Sequence, residues 1–371
     1  MRRFLQRILL NPVLWLSNRF SSRPNRQRIF EALSALLQAI LNGKSSKGKV
    51  IPFSVQEGRF IILSDQHKGG GDGADDFTLC EPAYLAALQY YFQNGYILIA
   101  LGDCEELWEN LLGSIRTAHR QSFEAERQFA TAGRFIKIFG NHDLFWANDP
   151  LAPLQVIDLW GKDQTIHEGV VLETTVAGQV LRILCTHGHQ GDKVSDGAWF
   201  SKFFISRIWA PLQAYLKINP NTPAYDASLK TLHNSMMYEW SAAQENTLLI
   251  TGHTHQPVFE SLTHIERLYR QLLFARRQND ATRTTTLEEE IARRKFGFAD
   301  VSEDYLKLKP TYFNTGCCCN SDAKITGLEI SEGCLRLIKW EWKENSGLRV
   351  VLEETELQQL LTHTAPVNNL M

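Results

Sequence analysis

Five short apolar runs each end directly on residues that can bind a metal ion, and no other feature narrows the possible folds as sharply. The runs IILS, ILIALG, FIKIFG, LRILCT and LLITG lead into Asp65-Gln-His67, Asp103, Asn141-His142-Asp143, His187-Gly-His189 and His253-Thr-His255. A run that is apolar at nearly every position suits a strand buried on both faces, as in a sheet covered by helices. In α/β sheets of this kind, polar residues just past the carboxyl ends of the strands share the crevice where ligands bind. One such ending says little. Five, drawn from Asp, Asn and His, predict convergence on one site.

The donor chemistry is consistent throughout. Carboxylate, amide and imidazole groups suit borderline divalent ions such as Zn, Mn, Fe or Co, with no thiolate required. Hydrolases that use two such ions hold them about 3.5–4 Å apart, and one carboxylate must reach both. Asp103 is the candidate, because Gly102 before it has no Cβ and lets the backbone come close. Asn141 contributes a neutral oxygen, which limits the negative charge facing an anionic substrate. Alone, His187 would read as an ordinary buried histidine; its place in the series makes it a ligand candidate. His189 reads equally as an outer partner of a ligand or as a group facing substrate. Asp192 reads as a turn residue. His119, His167, His233, His264 and His363 lie outside the motifs and read as surface or core histidines.

Taken in order, Asp65-Gln-His67, Gly102-Asp103, Gly140-Asn141-His142-Asp143, His187 and Gly252-His253-Thr254-His255 resemble the motifs of the calcineurin-like metallophosphoesterase superfamily. The resemblance runs from near Arg59 to the strands after Gly316. It implies an α/β protein, a two-sheet β-sandwich flanked by helices, with two divalent ions of the Mn, Fe, Zn or Co group. It implies that Asp65, His67, Asp103 and His255 hold the first ion, and that Asp103, Asn141, His187 and His253 hold the second. His142 would face the leaving group, oriented by Asp143. The implied reaction is hydrolysis of a phosphodiester, pyrophosphate or phosphomonoester bond by metal-activated hydroxide.

The residues just after Asp103 narrow the branch. Protein Ser/Thr phosphatases carry Asp-Arg-Gly there and end the third motif in Glu; this chain has Asp103-Cys-Glu-Glu and Asp143. Gly102-Asp103-x-x-Glu106-x-Trp108 is more similar to the UDP-2,3-diacylglucosamine hydrolases, although those commonly have Arg in place of His142. The expected substrate is a small or lipid-linked phosphate ester. A protein phosphatase and a metal-stabilised, non-catalytic scaffold remain as alternatives, and His142 with a complete ligand set weighs against the scaffold. The glycine-rich stretch from Lys68 to Asp76 can border a phosphate or serve as a turn; it is not a P-loop, because it lacks G-K-[ST].

The overall charge of −2 hides an asymmetry. The first fifty residues hold ten Lys or Arg and one acid, Glu31, which leaves −11 for the remainder. Ile29, Leu33, Leu36, Leu37, Ile40 and Leu41 share one helical face in this basic stretch. Residues 1–50 therefore read as an amphipathic helical arm and linker, and 51–371 as the catalytic domain. The arm either packs on that domain or a partner subunit, or lies on an anionic membrane surface. Phe4 to Leu16 is too short and interrupted to span a bilayer, and no signal-peptide cleavage site is convincing. The acidic remainder argues against nucleic acid as a partner. Seven cysteines without paired spacing argue against a disulfide framework and for a reducing cytoplasm, with attachment to the inner membrane face open. The triplet Cys317-Cys318-Cys319 reads as small residues in a turn. Helical insertions are expected at 194–244, rich in aromatics, and at 262–304, rich in charge.

Overall fold

The computed structural model describes residues 24–161, 164–191, 227–294 and 309–364. Their strands are β1 (Gly48–Pro52), β2 (Phe60–Leu63), β3 (Ile97–Leu101), β4 (Phe135–Ile138), β5 (Gly169–Val176), β6 (Gln179–Thr186), β7 (Thr247–Thr251), β8 (Val258–Phe259), β9 (Leu262–Thr263), β10 (Tyr312–Asn314), β11 (Lys324–Ser331), β12 (Cys334–Lys343) and β13 (Ser346–Glu356). They form two mixed sheets, ordered β1-β5-β6-β7-β10-β8-β9 and β13-β12-β11-β2-β3-β4. Helices flank them, giving the sandwich that the motifs implied.

The apolar runs alternate between two interiors, because successive strand side chains point to opposite faces. In β2, Phe60 and Ile62 meet Leu172, Ile183 and Ile250 between the sheets, whereas Ile61 and Leu63 pack under the Phe77–Gln93 helix with Tyr84 and Leu88. β2, β3 and β4 run parallel, as do β6, β7 and β10. All five ligand-bearing segments therefore leave their strands at carboxyl ends. The β5–β6 turn at Ala177-Gly178 and the β11–β12 turn before Cys334 are hairpins.

The Phe77–Gln93 helix runs through Pro82. Two further helices, Leu112–Ala118 and Arg120–Thr131, are separated by His119. His119 is buried there between Asp75 at 2.7 Å and Glu81 at 3.1 Å. β1 begins at Gly48, inside the stretch read as linker, and pairs with β5. The Arg26–Leu41 helix buries Ile29, Leu33, Leu36, Leu37 and Ile40 against Val171, Leu184, Met237 and Trp240. Its apolar face is thus covered by the sheet and by the Ala227–Ala242 helix. Residues 1–23 of the arm lie outside the described residues.

The described part of the first insertion is the Ala227–Ala242 helix; its aromatics Trp199 to Tyr215 lie outside the described residues, as does Asp192. The second insertion opens with β9 and a pair of helices, His264–Arg277 and Ala281–Arg294, sealed by Leu268, Leu272, Ala275, Leu287 and Ile291. Among the described residues no helix is long and apolar enough to cross a membrane. The seven cysteines are all free thiols.

Candidate metal centre

The ligand segments leave their strands in a backbone conformation that most residues avoid. Asp65, His67, Asp103, His253 and His255 all have φ between 47° and 68°. This left-handed region costs a residue with a Cβ about 1–2 kcal/mol, and Asp and His visit it more readily than most. Two glycines let the loops close on one another. A Cβ on Gly140 would lie 2.6 Å from the Asp103 nitrogen, and one on Gly252 would lie 2.8 Å from Ser64 Cβ. Asp65 ties the two sheets together by accepting the His253 N–H at 3.1 Å.

The sequence-predicted donors converge. Asp103 Oδ2 lies 3.0 Å from His187 Nε2 and 3.8 Å from His67 Nε2. Asp65 Oδ1 lies 3.2 Å from His255 Nε2 and 3.8 Å from His67 Nε2. The Nε2 atoms of His67 and His255 are 3.2 Å apart. Three sets each bring their donor atoms within 4.8 Å of one another: Asp103, His187 and His253; His67, Asp103 and His142; and His67, His255 and Cys319. Asp103 belongs to the first two, the position a bridging carboxylate must occupy.

The residues fit divalent ions. Asn141 Oδ1 and His187 Nε2 are buried without a hydrogen-bond partner, a state that costs about 1–3 kcal/mol per group unless something else satisfies it. His187 Nε2 is close to Asp103 Oδ2, yet the two do not meet hydrogen-bond geometry. His187 Nδ1 donates to the Leu101 carbonyl at 2.9 Å, which leaves Nε2 as the lone-pair side. Burial alone would lower the His187 pKa, but the Asp103 carboxylate outweighs it and raises the group to about 9. Burial also opposes charge on His255, where Asp65 wins and raises it to about 9. Burial, reinforced by His187, pushes His253 well below its ordinary value. Without ions, the carboxylates hold protons on part of the imidazole cluster; bound cations would displace them.

One expected pairing is corrected. Asp143 does not orient the His142 ring: its carboxylate accepts the backbone N–H of Gly140 at 2.5 Å and of Cys104 at 2.9 Å. It braces the loops that carry Asn141 and Asp103, and burial raises its pKa to about 6. The ring of His142 instead meets Glu106, with Nδ1 2.7 Å from Oε1, and stacks on Trp108 at 4.2 Å between centroids. Glu106 Oε2 also lies 2.7 Å from His67 Nδ1. Burial opposes its ionisation, but His142 prevails and holds the carboxyl down to about 2.

Other partners were not legible in the motifs. His189 is buried 5.5 Å from the His187 ring and lies in none of the three donor sets; burial, then His187, lowers it to about 3. His233, read as an ordinary histidine, donates from Nε2 to the Gly188 carbonyl at 2.9 Å and packs its ring 5.2 Å from His253. Asn314 braces the last motif by donating to the Gly252 carbonyl at 2.6 Å. Its signal was present: TYFNTG is a sixth apolar run ending in a polar residue and glycine. The cysteine triplet comes next, with Cys319 Sγ 3.9 Å from His255 Nδ1.

One residue before Glu106, a second buried cluster begins. Glu105 contacts Lys137 at 2.8 Å and Lys68 at 3.2 Å, and accepts from Trp146 Nε1 at 2.8 Å. Lys68 also meets Glu126 at 2.5 Å, which accepts from Tyr84 at 3.0 Å and Trp160 at 3.2 Å.

The family model described as calcineurin-like phosphoesterase matches residues 58–257. Among solved structures the chain is similar to a Vps29 single mutant from Entamoeba histolytica, at 14% identity and a TM-score of 0.27, over 80% of this chain and 99% of that one. It is similar also to Vacuolar Protein Sorting 29 from Cryptosporidium parvum, at 11% identity and a TM-score of 0.27, over 81% of this chain and 98% of that one. No curated protein sequence matches the chain.

Proposed function

Because the chain belongs to the calcineurin-like phosphoesterase family, we propose that it is a metal-dependent hydrolase of phosphate esters. The observation that carries this reading is the place of Asp103, whose Oδ2 reaches His187 on one side and His67 on the other. Asp65, His67, Asp103 and His255 would hold one divalent ion, and Asp103, Asn141, His187 and His253 a second. Bound there, the ions supply charge neutralisation and water activation for phosphoester hydrolysis.

The chain's own residues account for the rest. Asp103 Oδ1 accepts the His142 N–H at 2.8 Å, which fixes the third motif against the second. His142, which meets Glu106 and stacks on Trp108, would give a proton to the departing oxygen. Side chains at His67, Glu106 and His255 are 13%, 12% and 20% exposed, so substrate approaches from their side. The Asp-Arg-Gly element of protein phosphatases is missing, which favours a phosphodiester or pyrophosphate over phosphoserine peptides.

The test is turnover of bis(p-nitrophenyl) phosphate, a pyrophosphate diester and a phosphoserine peptide, each with Mn2+ and with chelator. Metal-dependent turnover of the diesters ahead of the peptide is expected. Faster peptide turnover would move the chain to the phosphatase branch. Ion binding without turnover of any of the three would favour the scaffold reading.

A further inference from the structure

The three cysteines after β10 sit in different surroundings. Cys317 and Cys318 are buried, and Cys319 is partly exposed. Hydrogen bonds hold the turn that carries them. Cys318 N–H donates to the Asp65 carbonyl at 3.1 Å, and the Cys317 carbonyl accepts the Thr326 N–H at 3.1 Å. Just past the triplet, Asn320 N–H donates to Cys80 Sγ at 3.2 Å. The Cys318 thiol donates to the Thr326 carbonyl, 3.8 Å away. The Cys319 thiol comes instead to the ion position of Asp65, His67, Asp103 and His255. Its Sγ lies 3.9 Å from His255 Nδ1, and Sγ, a His67 nitrogen and a His255 nitrogen all lie within 4.8 Å of one another. A turn asks only for a small side chain at this point, and serine would serve. A thiol beside two imidazoles adds a soft donor to a position otherwise made of carboxylate and imidazole.

We propose that Cys319 is a further ligand of this ion, and that it makes the position prefer thiophilic ions such as Zn2+ and Cd2+ over Mn2+. As the metal–sulfur bond forms, the Sγ–H proton leaves to solvent and no electron is transferred. Sulfur donors select ions of the Zn type, whereas oxygen donors suit Mn2+. The second position differs: among the described residues, the donor set of Asp103, His187 and His253 includes no thiol. The two positions therefore favour different ions. This role for Cys319 rests on the ion positions of the phosphoesterase reading, but not on turnover.

Co2+ reports sulfur ligation through a sulfur-to-cobalt charge-transfer band in the near ultraviolet. The full-length chain, reduced and loaded with Co2+ in the absence of oxygen, should show that band. It should be lost in Cys319→Ser and in Cys319→Asp, and kept in Cys317→Ser. Cd2+ affinity at one position should fall about 10–100-fold in Cys319→Ser, with a smaller change for Mn2+. Cys319→Asp puts an oxygen donor in place of sulfur and should bind Mn2+ ahead of Cd2+ at that position. A thermal melt of each ion-free variant checks folding, and loss of the band in Cys319→Asp decides the matter if Cys319→Ser does not fold. Two bound Co2+ ions with no sulfur band would overturn the ligand role, even if Cys319→Ser weakened binding, and would make Cys319 no more than a neighbour of His255. A band that survives both Cys319 variants would overturn it as well. Either result leaves the phosphoesterase reading standing. A wild type that shows the band and turns over no phosphate ester would overturn the phosphoesterase reading alone.

Discussion

Two buried polar clusters lie on the same loop after β3, one around Asp103 and Glu106 and the other around Glu105. They are built from the same kinds of charge and finish differently. Around Glu105 each partner is matched: two lysines, two glutamates, a tyrosine and two tryptophans close on one another. Around Asp103, the buried atoms Asn141 Oδ1, His187 Nε2 and His189 Nδ1 have no hydrogen-bond partner, and the carboxylates are crowded by imidazoles. A buried charge network survives when its members satisfy one another. A cluster that leaves buried donor atoms without partners is costly unless a group from outside the chain satisfies them. The first cluster is closed on itself, and the second has the open donors of a candidate metal site.

This contrast can be broken by substitution. Asp103→Ala should abolish turnover and lower the bound metal while the circular dichroism stays native. Full metal content with normal turnover would remove Asp103 from the bridging role. His142→Ala should keep the metals and slow turnover by about 10²–10⁴-fold, the usual range for a lost proton donor. The loss should shrink with nitrophenolate as leaving group, which needs little protonation. Equal loss on alkyl and nitrophenyl esters would make His142 a ligand or a brace instead, a role its closeness to His67 and Asp103 permits.

The satisfied cluster should fail in the opposite way. Glu126→Leu leaves Lys68, Tyr84 and Trp160 short of an acceptor and should destabilise the protein by about 3–5 kcal/mol, the range for breaking a buried pair. Mn2+ affinity of the folded fraction should not change. A loss of affinity matching the loss of stability would mean that the two clusters are one unit.

The smallest effect depends on pH. Burial opposes charge on Glu105, but Lys137 and Lys68 prevail and hold its carboxyl down to about 2, below its ordinary 4.5. A depressed carboxylate contributes stability that is full above its unfolded pKa and lost as pH falls through the folded one. The melting-temperature gap between wild type and Glu105→Gln should therefore be widest above about pH 4.5 and narrow toward pH 2. A constant gap would show that Glu105 is not held ionised by its lysines.

The buried parallel strands, the ligand types and the glycines that admit them could be read from the chain itself. Runs such as ILIALG-Asp103 carry their meaning locally, since apolar continuity sets burial and the residue past the run sets the chemistry. The Arg26–Leu41 helix was legible for the same reason, through the spacing of Ile29, Leu33, Leu36 and Ile40. What covers that face was not, because its partners Val171, Leu184 and Trp240 lie far along the chain. Only the tertiary structure decided which polar group answers which. Asp143 is the next residue after His142 and yet bonds elsewhere, while Glu106, thirty-six residues earlier, holds the ring. Lys68 and Lys137 gave no sign of being buried, because their partners Glu105 and Glu126 come from two other segments. The left-handed backbone at Asp65, Asp103 and His253 is likewise a product of loops pressed together across two sheets. Hydrophobic periodicity is a property of neighbours in sequence. Hydrogen-bond partnership and backbone strain are properties of neighbours in space, and these exist only once the two sheets have met.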